Sequence, residues 1–158
     1  EYGGHLGLQI SRTVVVGGGF VRLAGGATGS AEGVGAEVAV PADCWLAFLN
    51  WLPDNDNVGR IGLGADAGVV TVAGFTAVDE IDGSVTRDAY DGAGLFLAGY
   101  VIADLQLGGR TSLFAHGGFR LAQVAELDLN GTASDYALDY SGAFIRVGLR
   151  LAIGGDPR

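Results

Sequence analysis

The chain is poor in the residues that build disulfide scaffolds and nucleic-acid-binding surfaces. It has 158 residues, with one cysteine, three prolines, no methionine and no lysine, and its formal net charge is −9. The lone Cys44 cannot form a disulfide within the chain, so the fold does not rest on disulfides. A strongly acidic chain without lysine argues against a nucleic-acid partner, because phosphate recognition needs clustered basic side chains.

Long apolar runs are also absent. No window holds about 18 consecutive apolar residues, which argues against a transmembrane helix. A membrane-spanning β-strand needs only about 9–11 residues with one apolar face, so strands that cross a membrane stay open. The chain does not begin with methionine, and removal of a leader such as a signal peptide would explain a start at Glu1.

Glycine and aliphatic residues are abundant instead. The chain has 29 glycines, and 49% of its residues are hydrophobic while only 17% are charged. The glycines do not follow a collagen period, and the apolar fraction is too high for a disordered chain. The length favours one domain over residues 1–158, large enough to bury a core.

Apolar residues alternate with small or polar residues along several segments. In the segment 141–155 the apolar face carries Ala143, Ile145, Val147, Leu149, Leu151 and Ile153. The same period of two recurs in segments 5–11, 33–40, 60–70, 94–107 and 110–122, and it is typical of strands with two different faces. Short turns rich in glycine and asparagine separate these segments, which predicts an all-β fold of antiparallel strands in meander order.

The segment 41–52 breaks this pattern. Trp45, Phe48, Leu49 and Leu52 are spaced as on one face of a helix, and Pro53 follows them. The spacing favours a short amphipathic helix near 42–52, with an aromatic-rich strand end as the alternative.

The second face of the strands is unusual for a soluble sheet. It combines glycines and aromatic residues with isolated charges, whereas a solvated face is typically rich in threonine, lysine, glutamate and serine. Glycine is unfavourable inside a strand unless the backbone is crowded, and the lumen of a narrow barrel crowds it. Because the other face is aliphatic without charges in mid-strand, as a lipid-facing surface requires, we expect the aliphatic stripe to point away from the molecular centre.

The last strand carries a motif as well as a pattern. The run Arg146-Val147-Gly148-Leu149-Arg150-Leu151-Ala152-Ile153 is similar to the C-terminal assembly signal of small bacterial outer-membrane β-barrels of the eight-stranded type. That signal reads polar-x-Gly-x-x-apolar-x-apolar. The resemblance implies an antiparallel up-and-down barrel of about eight strands, with both termini in the periplasm.

The charged residues of the second face form the candidate site. We expect a structural polar network in the barrel lumen, built from Glu37, Asp66, Asp104, His116, Arg120, Arg146 and Arg150. Opposite charges in a lumen pair and so avoid isolated burial. Ser112 and His116 share this face, but about 13 Å of strand separates them, which is too far for a nucleophile–base hydrogen bond.

Acidic residues in the turns raise the question of a calcium site. The segment 54–59 begins like a calcium loop, but the twelfth position is Ala65 instead of glutamate, so the EF-hand pattern fails. A looser calcium site would use Asp54 and Asp56 with Asp79 or Asp82; solvated turns are the simpler interpretation. We predict no metal and no cofactor.

These observations support three hypotheses of function. The first is a non-enzymatic outer-membrane barrel with a closed or narrow lumen, which acts structurally or binds partners through the acidic loops 78–92 and 129–137. Its partner is the lipid bilayer, with homo-oligomers or larger assemblies left open. The second is a secreted all-β subunit of an extracellular filament, sheath or capsid-like structure, and the third is a lipid hydrolase that uses His116.

Overall fold

A computed structural model describes residues 1–24, 27–31, 34–38, 40–53, 59–79, 85–108 and 110–152. These residues are all-β, as the sequence predicts. The strands are β1 (Tyr2–Gln9), β2 (Val14–Leu23), β3 (Ala27–Ala31), β4 (Val34–Val38), β5 (Ala42–Trp51), β6 (Gly59–Asp79), β7 (Val85–Gly108), β8 (Thr111–Val124), β9 (Leu127–Leu129), β10 (Thr132–Ser134), β11 (Ala137–Asp139) and β12 (Gly142–Leu151). The described residues contain no helix that is long and apolar enough to cross a membrane.

One antiparallel sheet contains all twelve strands. The main strand order of the sheet is a meander in which β1 pairs with β2, β2 with β5, β5 with β6, β6 with β7, β7 with β8, and β8 with β12. The shorter strands extend one end of this sheet: β3 pairs with β4 and β11, while β9 pairs with β10 and β7. The antiparallel meander predicted from alternation and short turns is therefore confirmed.

The helix expected near 42–52 was wrong, because β5 occupies this segment. Cys44, Leu46 and Phe48 point to the buried side, while Trp45 and Leu49 are exposed between them. Both faces of β5 are apolar, so the period of two is hidden and the same residues also satisfy a helical spacing. β5 forms a ladder with β2 on one edge and with β6 on the other, and these ladders fix the strand along nearly its whole length.

Strand number and closure differ from the expected eight-stranded barrel. The described residues form twelve strand segments instead of about eight strands. Within the described part of the chain no ladder joins β1 to β12, so the sheet is not closed by hydrogen bonds there and barrel closure stays a prediction.

One face of the sheet exposes large apolar side chains, while the other face buries an apolar cluster together with charged side chains. The large apolar side chains of one face are exposed, with Leu149 and Leu151 at 65% and 68%, whereas the Arg146 side chain on the other face is only 12% exposed. Leu97 is also exposed, at 38%. The predicted orientation is confirmed: the aliphatic stripe points outward, and we call it the outer face; the opposite side is the interior face.

Glycines make space for aromatic rings on the interior face. A Cβ atom at Gly64 would overlap the ring of Tyr100, and one at Gly148 would lie 2.7 Å from Cζ of Phe114. The glycines of these strands therefore fit a crowded interior, which is the situation where glycine inside a strand is tolerated.

Candidate functional site

Charged side chains of the interior face form two groups of ion pairs. In the first, Arg146 of β12 contacts Glu1 at 2.8 Å and Asp66 of β6 at 3.6 Å. Arg120 of β8 also pairs with Glu1 and donates a hydrogen bond to the backbone oxygen of Tyr140. The carboxylate of Glu1 is thus shared by two arginines from neighbouring strands, and we call these four charged residues the Glu1 cluster.

The second group is centred on a buried carboxylate in β7. Asp104, with a side chain 1% exposed, pairs with Arg60 of β6 at 3.3 Å and with Arg150 of β12. Both arginines are about one-third exposed, so their guanidinium groups reach toward solvent while the carboxylate does not. We call these three residues the Asp104 cluster.

Tyr100 and Asn50 extend the Glu1 cluster across the sheet. The hydroxyl of Tyr100 lies 2.6 Å from Oδ1 of Asp66 and 2.8 Å from Oδ1 of Asn50, within donating distance of both. All three side chains are buried, and burial of polar groups is tolerated where hydrogen bonds satisfy them. This network holds β5, β6 and β7 in register from the inside.

His116 lies between aromatic rings and does not form a catalytic pair. Its imidazole stacks on Tyr100 and lies against Phe114, each with ring centroids 4.6 Å away. Neither ring nitrogen has a hydrogen-bond partner among the described residues, so the hydroxyl of Ser112 does not donate to it. The contacts are those of a packed side chain, and the geometry gives no support to the hydrolase hypothesis.

Six of the seven predicted network residues lie on the interior face with described side chains. Asp66, Asp104 and His116 are buried, and Arg120, Arg146 and Arg150 are partly buried in ion pairs. Glu37 belongs to β4, but its side chain lies outside the described part of the structure.

Four participants were not predicted as site residues: Glu1, Asn50, Arg60 and Tyr100. Arg60 and Tyr100 share a face with Asp66 and Asp104 by simple alternation in their strands, so the sequence contained the signal. Asn50 was not assigned to this face because a helix was predicted over its segment. Glu1 precedes the first alternating run, and no pattern in the sequence indicates its ion pairs.

Strands occupy part of the two regions 78–92 and 129–137 that were predicted as acidic loops. Residues 85–92, which we predicted as part of an acidic loop, belong to β7. Asn130 and Gly131, both with positive φ, form a two-residue turn between β9 and β10. Asp91, Glu126 and Asp128 line an open groove of about 640 Å³ near this turn.

Metal binding finds no support in the described part of the chain. It contains no group of three or more histidine, cysteine, aspartate or glutamate residues that could hold a metal ion. Of the looser calcium site, Asp54, Asp56 and Asp82 lie outside the described residues, and the side chain of Asp79 is likewise not described.

Comparison with known proteins gave no relative. No protein-family model, no curated protein and no solved structure matches the chain.

Proposed function

We propose that the chain is a small bacterial outer-membrane β-barrel with a closed or very narrow lumen and no enzymatic activity. The observation that carries this proposal is that the exposed face of the sheet is apolar while charged side chains are buried on the opposite face. Leu149 and Leu151 are exposed, while Asp66 and Asp104 are buried on the opposite face. In water such an arrangement exposes apolar surface and buries charge, both of which are unfavourable. A hydrocarbon solvent around the outer face removes the first cost.

The length of the outer apolar band fits a bilayer. In β6, β8 and β12 the band extends over residues 61–69, 113–121 and 143–151. Nine residues of strand, tilted by about 40°, rise roughly 23 Å, close to the apolar band of about 25 Å around membrane barrels. In β7 the band is longer and extends from Leu95 to Leu107.

Polar side chains border this band at one end. Arg22 and Asp43 form an ion pair on the outer face at 3.4 Å, and Gln123 donates to Asp139 at 3.2 Å. Between this border and the turns at the other end of the sheet, the described outer-face positions carry no charged side chain. A charge-free band with a polar margin is what the hydrocarbon core requires.

Two contacts bring the two ends of the meander close together, as a barrel requires. β3, which follows β2 closely along the chain, pairs with β11 near the far end of the meander, with Leu138 opposite Gly29. Glu1, next to β1, reaches Arg146 in β12. A barrel of about eight strands is filled by its own side chains, which agrees with the packed rings and ion pairs of the interior face.

The surface role follows from the acidic end of the sheet. Asp91, Glu126, Asp128 and Asp135 are exposed there, whereas the described interior carries four arginines against three carboxylates. The negative charge of the chain therefore lies mostly outside the interior, where it favours cationic partners over anionic ones.

Arginine scanning by depth tests the bilayer assignment. Val101 lies at the middle of the β7 band and Leu107 at its end. In lipid vesicles, Val101→Arg is expected to lower the free energy of unfolding by about 2–4 kcal/mol and Leu107→Arg by about 0–1 kcal/mol. Detergent-dependent extraction and heat-modifiable gel migration of the unmodified chain are the companion measurements. Equal, small effects at both depths, with extraction by buffer alone, would contradict the proposal.

A secreted, self-assembling subunit is the alternative function. The observation that favours it is that the described structure pairs β1 and β12 on one edge only, because free edges pair readily with other chains. Such a subunit would sediment as an assembly without detergent. A detergent-solubilised monomer excludes it.

A further inference from the structure

The direction of the two edge strands follows from the ladders between them. Six antiparallel ladders lead from β1 through β2, β5, β6, β7 and β8 to β12. An even number of reversals makes β1 and β12 run in the same direction. They cannot pair antiparallel with each other, so closure of an all-antiparallel sheet needs an odd number of strands between them.

The distance between the two edges limits that number to one. Glu1, directly before β1, contacts Arg146 of β12 at 2.8 Å. An extended glutamate and an extended arginine in contact separate their Cα atoms by at most roughly 14 Å, from standard bond lengths. One inserted strand needs about 9.6 Å between the edges, and three inserted strands need about 19 Å.

The opening has a defined length. At one end β11 pairs with β3, with Leu138 opposite Gly29, which closes the opening there. Along the rest of the opening, β1 is 8 residues long and β12 is 10 residues long. Among the described residues, β1 and β12 each pair along one edge only, so their other edges form a slot that accepts about eight residues of extended chain, entering from the end where β12 finishes.

The side chains beside the slot determine what fits it. On the outer face Leu6 and Ile145 are 84% and 82% exposed, the highest values among the large apolar residues. On the interior face Arg146 and Arg150 border the slot, and the described arginines there outnumber the carboxylates by one. A matching strand alternates apolar residues outward with small or acidic residues inward.

We propose that this slot binds one extended strand of a partner polypeptide, antiparallel to both β1 and β12. Backbone hydrogen bonds to two edges supply the affinity, and the alternation of side chains supplies the specificity. The inference depends on the sheet topology and the Glu1–Arg146 contact, and it holds whether lipid or protein covers the outer face. It therefore stands apart from the bilayer assignment, whose failure would not remove it.

Disulfide capture of a synthetic peptide tests the slot. The probe has the sequence IGLGCDAGV, which copies residues 61–69 with Ala65→Cys, and its cysteine is activated as a mixed disulfide. This segment runs antiparallel to β1 and β12, and it places glycines and Asp66 on the interior face. The target is the folded chain with Cys44→Ala and one added outer-face cysteine, either Leu8→Cys or Val147→Cys.

A third target, Leu97→Cys on β7, is the matched control, because β7 is paired on both edges at that position. We expect capture at Leu8→Cys and at Val147→Cys at least tenfold faster than at Leu97→Cys. A probe with the Asp changed to Arg should be captured about tenfold more slowly, since like charges face each other inside the slot. Two independent edge positions keep the test valid if one variant folds poorly.

Two results would overturn the proposal. One is capture at both edge positions no faster than at Leu97→Cys. The other is disulfide dimers of the Val147→Cys chain under oxidising conditions that block peptide capture, since a second copy of the chain would then fill the slot.

Discussion

Removal of Arg146 tests whether the interior ion pairs stabilise the fold. The Arg146 side chain is 12% exposed and lies 2.8 Å from Glu1 and 3.6 Å from Asp66, whose side chain is fully buried. Arg146→Met keeps much of the apolar stem but removes the positive charge that faces Asp66, which keeps the Tyr100 hydroxyl at 2.6 Å as its hydrogen-bond donor. Loss of one partner from a buried pair costs about 3–5 kcal/mol. Glu1 keeps Arg120 as a partner, so we expect the lower end, about 3 kcal/mol.

Urea unfolding in detergent micelles measures this cost, with the fluorescence of Trp45 and Trp51 as the signal and linear extrapolation to zero urea. Arg22→Met is the matched control, because it removes an arginine from a pair whose side chains are 40% and 38% exposed; its expected cost is at most about 1 kcal/mol. Adding Asp66→Asn to Arg146→Met should restore about 1–2 kcal/mol by removing the stranded charge. Equal costs for Arg146→Met and Arg22→Met, or no restoration in the double variant, would refute the reasoning.

Three further predictions concern the interior and the polar margin. Gly64→Ala should destabilise the fold by about 1–3 kcal/mol, because its Cβ overlaps the Tyr100 ring; Gly99→Ala, with open space around its Cβ, is the control, and equal unfolding free energies would contradict the prediction. In planar bilayers the chain should show no nanosiemens conductance, since side chains fill the interior, and stable open-channel steps would count against a closed lumen. Hydrogen bonding to the Ser141 side chain lowers the pKa of Asp139 from 3.8, so Asp139 stabilises the fold above that pH and the benefit is lost as pH falls through the lowered value. The Asp139→Asn variant should therefore have a lower free energy of unfolding than the unmodified chain above pH 3.8, and the difference should shrink below that pH. A difference that does not change with pH would contradict this.

The sequence predicted the faces of the strands because alternation is a local property. In β12 each residue can be assigned to one face without knowledge of its neighbours, and the exposure of Leu149 and the burial of Arg146 agree with that assignment. The prediction for the β5 segment was wrong because it also relied on the local pattern alone. Its two faces are both apolar, so only its ladders with β2 and β6 reveal that it is a strand.

The partners within the interior could not be predicted, because they depend on register between distant strands. Asp66 and Arg146 lie on β6 and β12, with β7 and β8 between them in the sheet, and no local pattern sets their separation. The sharing of Glu1 by Arg120 and Arg146 depends on where β1 begins relative to β12. Charge type and face were visible in the sequence, whereas pairing required the topology.

Packed rings and ion pairs fill the interior of the sheet. Tyr100 stacks on His116, Phe114 lies tilted against the same imidazole, and ion pairs join the charges of the Glu1 and Asp104 clusters. Contacts of that kind stabilise the fold, and they favour a structural role for the described polar residues of the interior. The surfaces left for function are the outer face, the acidic end and the slot between β1 and β12. Of these, the slot alone combines backbone hydrogen-bonding groups with a side-chain pattern, so sequence-specific recognition by this chain is expected there.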